Sequence, residues 1–128
     1  MKREEIERRF LLYPCDIKSF LQKNGFRYKL FKIKQFYLPS SPESSSSEVI
    51  RYRKENRKYI KTVKRGEGLK REEIEKEIDK KEFKTFLKKR DGKVIKKRRY
   101  KVCIDGKVYE FDEFRGFLKG LLILEVEF

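Results

Sequence analysis

The chain has no histidine and only two cysteines among 128 residues. Without an imidazole, and with Cys15 and Cys103 lacking CxxC spacing, the sequence argues against a zinc site and against a disulfide framework; the two thiols read as ordinary reduced cysteines. No run approaches 18 apolar residues and the N-terminus has no signal-peptide core, which predicts a soluble cytoplasmic protein with no membrane partner. Apolar residues are also scarce: 38% hydrophobic against 45% charged leaves a thin core, so no apolar face can be wasted. What abounds is charge. Thirty-six Lys and Arg against 21 Asp and Glu give a net +15, a field that captures polyanions (nucleotide, polyphosphate or RNA) without choosing among them. High Lys, Glu and Arg content is also a mark of heat adaptation. The eleven Phe and seven Tyr fall in periodic segments, so the chain folds rather than staying disordered. Its length predicts a single domain over 1–128.

The charges alternate. From Glu5, Glu7 and Arg9 share one face of a strand while Ile6, Arg8 and Phe10 share the other, a period of 2 that a helix would scatter. The pattern recurs. Arg51 and Arg53 flank Tyr52, Thr62 and Lys64 flank Val63, and Arg71, Glu73 and Glu75 alternate with Glu72, Ile74 and Lys76. Lys97 and Arg99 precede Val102, and Glu125 and Glu127 alternate with Leu124, Val126 and Phe128.

Along the chain, Asp16 caps a short helix with Ile17, Phe20 and Leu21 at i, i+3 and i+4 and Gly25 as its stop. Phe26 to Leu38 predicts a long strand, and Pro39 to Ser47 a flexible Ser/Pro loop. Strands over Glu48–Lys54 and Lys58–Lys64 predict a hairpin across Glu55-Asn56-Arg57, followed by a strand from Leu69 to Ile78. Asp79 and Glu82 form a capping box for a second helix whose buried stripe is Phe83, Phe86 and Leu87. Asp91-Gly92 is expected to end that unit. Val94–Ile104 and Lys107–Asp112 pair across Asp105-Gly106, the dipeptide suited to a type I′ turn. A tight segment through Phe114, Gly116 and Gly120 leads to a last strand, Leu121–Phe128. The expected fold is α+β: eight mostly antiparallel strands in a closed or nearly closed barrel, with short helices packed outside.

If the apolar faces turn out against helices, the charged faces line the inside and create a water-filled tunnel of both signs. Buried ions without partners cost several kcal/mol each, so something should occupy it. Arg and Lys in such number suit a chain of phosphates. Clustered carboxylates without His or thiolate suit a hard divalent cation, Mg²⁺ or Mn²⁺. The two together point to a metal–triphosphate complex. The plainer reading is a set of cross-strand ion pairs on an exposed sheet.

The ordered blocks Glu5-x-Glu7-x-Arg9, Arg51-x-Arg53, Thr62-x-Lys64, Arg71-x-Glu73-x-Glu75, Lys97-x-Arg99-Tyr100, Phe111-Asp112-x-Phe114 with Gly116, and Glu125-x-Glu127 resemble those of the CYTH family, the triphosphate tunnel metalloenzymes. That family includes thiamine triphosphatases, inorganic tripolyphosphatases and class IV adenylyl cyclases. The resemblance implies that Arg9, Arg51, Arg53, Lys64, Arg71, Lys97 and Arg99 hold a triphosphate. It implies that Glu5, Glu7, Glu73, Glu75, Glu125 and Glu127 position the metals, with Asp112 as a ligand or a neighbour of the ligands. The leading expectation is hydrolysis of inorganic tripolyphosphate by a monomer or homodimer. Alternatives are non-catalytic binding of polyphosphate or RNA 5′-triphosphate ends, drawing on the basic surplus outside the tunnel, and a cyclase, although the sequence shows no recognisable adenine pocket.

Two departures stand out. Arg9 replaces the family's Lys, which acts there with a Tyr, here Tyr37. A guanidinium stays protonated and cannot act as a base, so binding should survive while hydrolysis is slow or shifted to higher pH. The chain also stops at Phe128, before a C-terminal segment of its relatives, which leaves either an open tunnel mouth or a truncated chain.

Overall fold

The computed structural model describes residues 7–39, 48–66 and 72–127. Glu5, Arg71, Phe128 and residues 40–47 of the expected loop lie outside them. The described chain runs β1 (Glu7–Leu12), α1 (Ile17–Lys23), β2 (Lys29–Tyr37), β3 (Glu48–Glu55), β4 (Lys58–Arg65), β5 (Glu72–Ile78), α2 (Lys80–Leu87), β6 (Asp91–Ile104), β7 (Lys107–Arg115), a 3₁₀ turn (Gly116–Leu118) and β8 (Leu122–Glu127). The eight strands follow the order β1-β8-β7-β6-β2-β3-β4-β5, and the registered pairs are antiparallel. The α+β, antiparallel expectation therefore holds.

Local chemistry accounts for most of the boundaries. The Asp16 carboxylate accepts from the backbone N–H of Ser19 at 3.1 Å, and Asp79 accepts from that of Glu82 at 2.8 Å, so both expected caps start their helices. Asp105 and Gly106 sit at φ +49° and +76°, the two positive values a type I′ turn demands, and this closes β6 on β7 with Ile104 opposite Lys107. Asn56 at φ +55° turns β3 into β4 with only Asn56 and Arg57 in the loop. Three boundaries differ from expectation by more than one residue. β7 runs on to Arg115 rather than ending at Asp112. β2 begins at Lys29 rather than Phe26, because Phe26 is still tied to the helix end: its N–H donates to the Leu21 carbonyl at 2.9 Å. Asp91 and Gly92 begin β6 instead of ending the previous unit. Gly92, at φ +73°, takes the left-handed backbone inside the strand, as an isolated strand glycine can.

The chain divides into two compact units, one formed by residues 1–32 and 96–128, the other by 33–95. Each has its own helix and core. In the first, Ile17 and Leu21 of α1 pack on Tyr100, Val102 and Leu122, with Tyr28 edge-on to Tyr100 at 5.2 Å. In the second, Phe83 of α2 closes over Phe36 and Tyr52, the Phe36 ring lying 5.3 Å from Tyr52 and 5.1 Å from Phe83. Alternation does the sorting: Phe36 and Tyr52 face the helix, so their neighbours Gln35, Arg51 and Arg53 face the other way.

Candidate active site

The polar face of the second unit is assembled by register. Tyr37 lies opposite Arg51, Arg51 opposite Thr62, and Thr62 opposite Glu75; Gln35 lies opposite Arg53, and Lys64 opposite Glu73. Directly opposed residues point to the same side, so one face carries Gln35, Tyr37, Arg51, Arg53, Thr62, Lys64, Glu73 and Glu75. Arg53 is only 9% exposed. Its guanidinium is held by the Gln35 side-chain oxygen, at 2.9 Å from Nε and 2.7 Å from one terminal nitrogen. Arg51 reaches the buried Thr62 hydroxyl at 3.4 Å, while its own Nε is buried with no hydrogen-bond partner. Lys64, Glu73 and Glu75 are exposed.

In the first unit the corresponding face carries Lys97, Arg99 and Lys101 from β6, Glu110, Asp112 and Phe114 from β7, Glu125 and Glu127 from β8, and Glu7 and Arg9 from β1. Its centre is Asp112, with a side chain only 4% exposed. Lys97 donates to one oxygen at 2.7 Å, and Arg99 donates to both at 2.8 and 3.0 Å. Burial alone would raise the Asp112 carboxyl, but the hydrogen bonds and charges of Arg99 and Lys97 outweigh it and hold the group below the usual carboxylate range. Burial would likewise lower the Arg99 guanidinium, yet Asp112, Glu110 and Glu125 raise it instead, so it is a permanent cation. Arg99 also binds Glu110 at 2.9 Å, and Lys97 lies 5.3 Å from the centre of the Phe114 ring. At the sheet edge Arg9, 74% exposed, pairs with Glu125 at 2.7 Å.

Of the residues expected from the sequence, Arg51, Arg53, Lys64, Glu73, Glu75 and Tyr37 thus share one face of the second unit. Arg9, Lys97, Arg99, Glu7, Asp112, Glu125 and Glu127 share one face of the first. Glu5 and Arg71 lie outside the described residues. Sequence reasoning missed Glu110, which binds Arg99, and Gln35, which orients Arg53. The alternation of Glu110 with Asp112 was a usable signal for the first; nothing local marks Gln35.

Carboxylates are also opposed to carboxylates. Glu7 lies across from Glu127, and Glu110 across from Glu125. Like charges placed so are destabilising; Arg99 and Arg9 already offset Glu110 and Glu125. Among the described residues no three acidic groups gather to hold an ion by themselves. Magnesium commonly needs only one or two carboxylates, because substrate phosphates and water fill the remaining positions. The Glu7/Glu127 pair therefore fits a hard divalent cation in donor type, whereas both oxygens of Asp112 are already engaged.

No protein-family model matches the chain. Over 97 residues it is 34% identical to an inorganic triphosphatase of Nitrosomonas europaea, a match covering 75% of this chain. The chain spans 62% of that relative's length. The crystal structure of an inorganic triphosphatase superimposes with a TM-score of 0.67 at 29% identity, over 99% of this chain and 75% of the other. A putative adenylate cyclase from Bacillus halodurans shares the fold, with a TM-score of 0.69 at 15% identity over 97% of this chain and 80% of the other. These likenesses match the ordered strand blocks and the charged faces they build, and they support the resemblance of the chain to the CYTH family of triphosphate tunnel proteins.

Proposed function

We propose that this chain hydrolyses the terminal phosphate of inorganic tripolyphosphate with the help of a divalent cation, Mg²⁺ or Mn²⁺. The observation that carries the proposal is Arg51: a half-buried arginine whose buried Nε has no hydrogen-bond partner, next but one along the strand to the buried Arg53 held by Gln35. An unsatisfied buried donor costs about 1–3 kcal/mol, and more when charged. A phosphate oxygen is the partner that arginine's planar fork fits. The name of the Nitrosomonas relative supports the same substrate.

In this reading the basic residues of each polar face are phosphate ligands: Arg51, Arg53 and Lys64, with Arg71, in the second unit, and Arg9, Lys97 and Arg99 in the first. Glu7, Glu125 and Glu127 of the first unit, with Glu5, and Glu73 and Glu75 of the second are the carboxylates that the family resemblance assigns to metal binding. When bound, the metal neutralises charge on the phosphates and orients the attacking water, so the chemistry is mostly positioning and electrostatics. Asp112 acts as a positioning residue: it fixes Lys97 and Arg99 side by side. Arg9 contributes charge and no base. The setting we propose is cytoplasmic, where the exposed thiols Cys15 and Cys103 stay reduced. Among the described residues no helix is long and apolar enough to cross a membrane.

The test is phosphate release from tripolyphosphate, ATP and thiamine triphosphate, with Mg²⁺, with Mn²⁺ and with chelator. We expect metal-dependent release, fastest from tripolyphosphate, and its loss in Glu7→Gln with the circular dichroism spectrum unchanged. Tight binding with no release from any substrate would make the protein a binding module, and cyclic AMP from ATP would make it a cyclase.

A further inference from the structure

We propose that the outer face of α2 is a second, independent anion site that binds the phosphodiester backbone of a nucleic acid without reading its sequence. Lys80, Lys81, Lys84, Thr85 and Lys88 line a shallow groove of about 530 Å³, and all five are exposed. At 100° per residue they span an arc of roughly 140° on the helix. Phe83, Phe86 and Leu87 occupy the opposite arc and pack on the sheet.

The arrangement is unfavourable by itself. Lys80 and Lys84, and Lys84 and Lys88, are like charges at i, i+4. Lys80 and Lys81 also stand in the first turn, where the helix dipole disfavours cations. The acidic residues nearby do not compensate. Asp79 is used as the N-cap, and Glu82 buries an oxygen and lies close enough to Tyr52 to help raise its hydroxyl, after burial, to about 12. Heat adaptation typically builds networks of alternating sign, and this face has one sign only. An external polyanion resolves the repulsion.

Its geometry narrows the partner. Three lysines four residues apart advance by about 6 Å each, a ladder that suits successive phosphates along a nucleic-acid strand. A membrane surface is disfavoured because the helix has no free apolar face to insert. Among the described residues no aromatic side chain lines the groove for base stacking, so recognition stays with the backbone.

The test uses the full chain and a fluorescent 20-nucleotide RNA bearing a 5′-hydroxyl, measured by anisotropy across a salt series with excess tripolyphosphate present, so that the site proposed above is saturated. The variant Lys80→Ala/Lys84→Ala/Lys88→Ala should weaken binding by about tenfold or more and flatten the slope of log affinity against log salt by about 2, at roughly 0.7 per phosphate for single strands. Replacing the same three residues by arginine should preserve both. Lys18→Ala/Lys23→Ala/Lys119→Ala removes equal charge elsewhere and should change affinity much less. Equal weakening by the two alanine triples would assign the affinity to net charge and overturn the site. Capture of phosphatidylserine vesicles or long-chain polyphosphate by this face, with no RNA binding, would overturn the choice of partner. Tripolyphosphate turnover unchanged in the α2 triple keeps this result separate from that of the hydrolysis assay.

Discussion

Replacing Asp112 by Asn leaves the side chain's shape and removes its charge, which makes it a clean probe of the Lys97–Asp112–Arg99 network. Three charge-assisted hydrogen bonds of 2.7, 2.8 and 3.0 Å converge on this carboxylate. Breaking a buried ion pair by removing one partner costs about 3–5 kcal/mol. Arg99 retains Glu110 at 2.9 Å, so the loss belongs at the lower end, about 3 kcal/mol. Unfolding entropy of about 2.1 cal/mol/K per residue over 128 residues makes each kcal/mol worth roughly 4 °C, so the melting temperature should fall by about 11 °C at pH 7. The pH dependence gives a second readout. Because the folded carboxyl titrates below the unfolded value of about 3.9, the unfolded chain takes up the proton first as pH falls. The contribution of Asp112 is thus complete well above pH 4 and disappears as pH drops through the folded value. Thermal melts of wild type and Asp112→Asn should therefore converge as the pH is lowered below the unfolded value. A loss under about 1 kcal/mol at pH 7, or a gap that stays constant down to acid pH, would refute the stabilising role of the network.

Three further outcomes are expected. Gln35→Ala releases the contacts of 2.9 and 2.7 Å that orient Arg53, and should raise KM for tripolyphosphate several-fold with a smaller change in kcat; an unchanged KM would detach Arg53 from substrate. Phe36→Ala empties a fully buried site between Tyr52 and Phe83 and should cost about 3–5 kcal/mol in denaturant unfolding; under 1 kcal/mol would mean the core collapses around it. Arg9→Lys should leave stability within about 1 kcal/mol, as an exposed pair implies, and raise turnover by supplying a group that can give up its proton. Identical pH–rate profiles would leave Arg9 as a phosphate ligand alone.

Legibility from the sequence follows the range of the interactions involved. Asp16 and Asp79 act on backbone three residues away, and Asp105-Gly106 acts within its own turn, so these were plain in the residues. The polar faces were legible for a similar reason: a period of 2 places Arg51 beside Arg53 on one side of a strand whatever lies next to it. Cross-strand partners were not. That Gln35 holds Arg53, or that Glu110 meets Arg99, depends on the register of separate strands, which alternation within either strand leaves open. The start of β2 was misplaced because a backbone hydrogen bond from Phe26 to the end of α1 overrides its aromatic strand preference.

The β6–β7 hairpin also bears on the order in which the molecule assembles. Lys97, Arg99, Glu110 and Asp112 fall within a sequence separation of 15 residues, closed by a turn whose two positive φ values are intrinsic to Asp105 and Gly106. Loop closure over so short a span is cheap, and isolated hairpins form in about 1–10 µs. The buried charge network can thus form early, before the long-range pairing of β1 with β8, as a nucleus for the unit around it. Gly106→Ala, which strains a left-handed position at φ +76°, should then slow refolding about as much as it destabilises, giving a φ-value near 1, while Leu122→Ala in β8 should mainly speed unfolding. Refolding rates insensitive to Gly106→Ala would place the nucleus elsewhere.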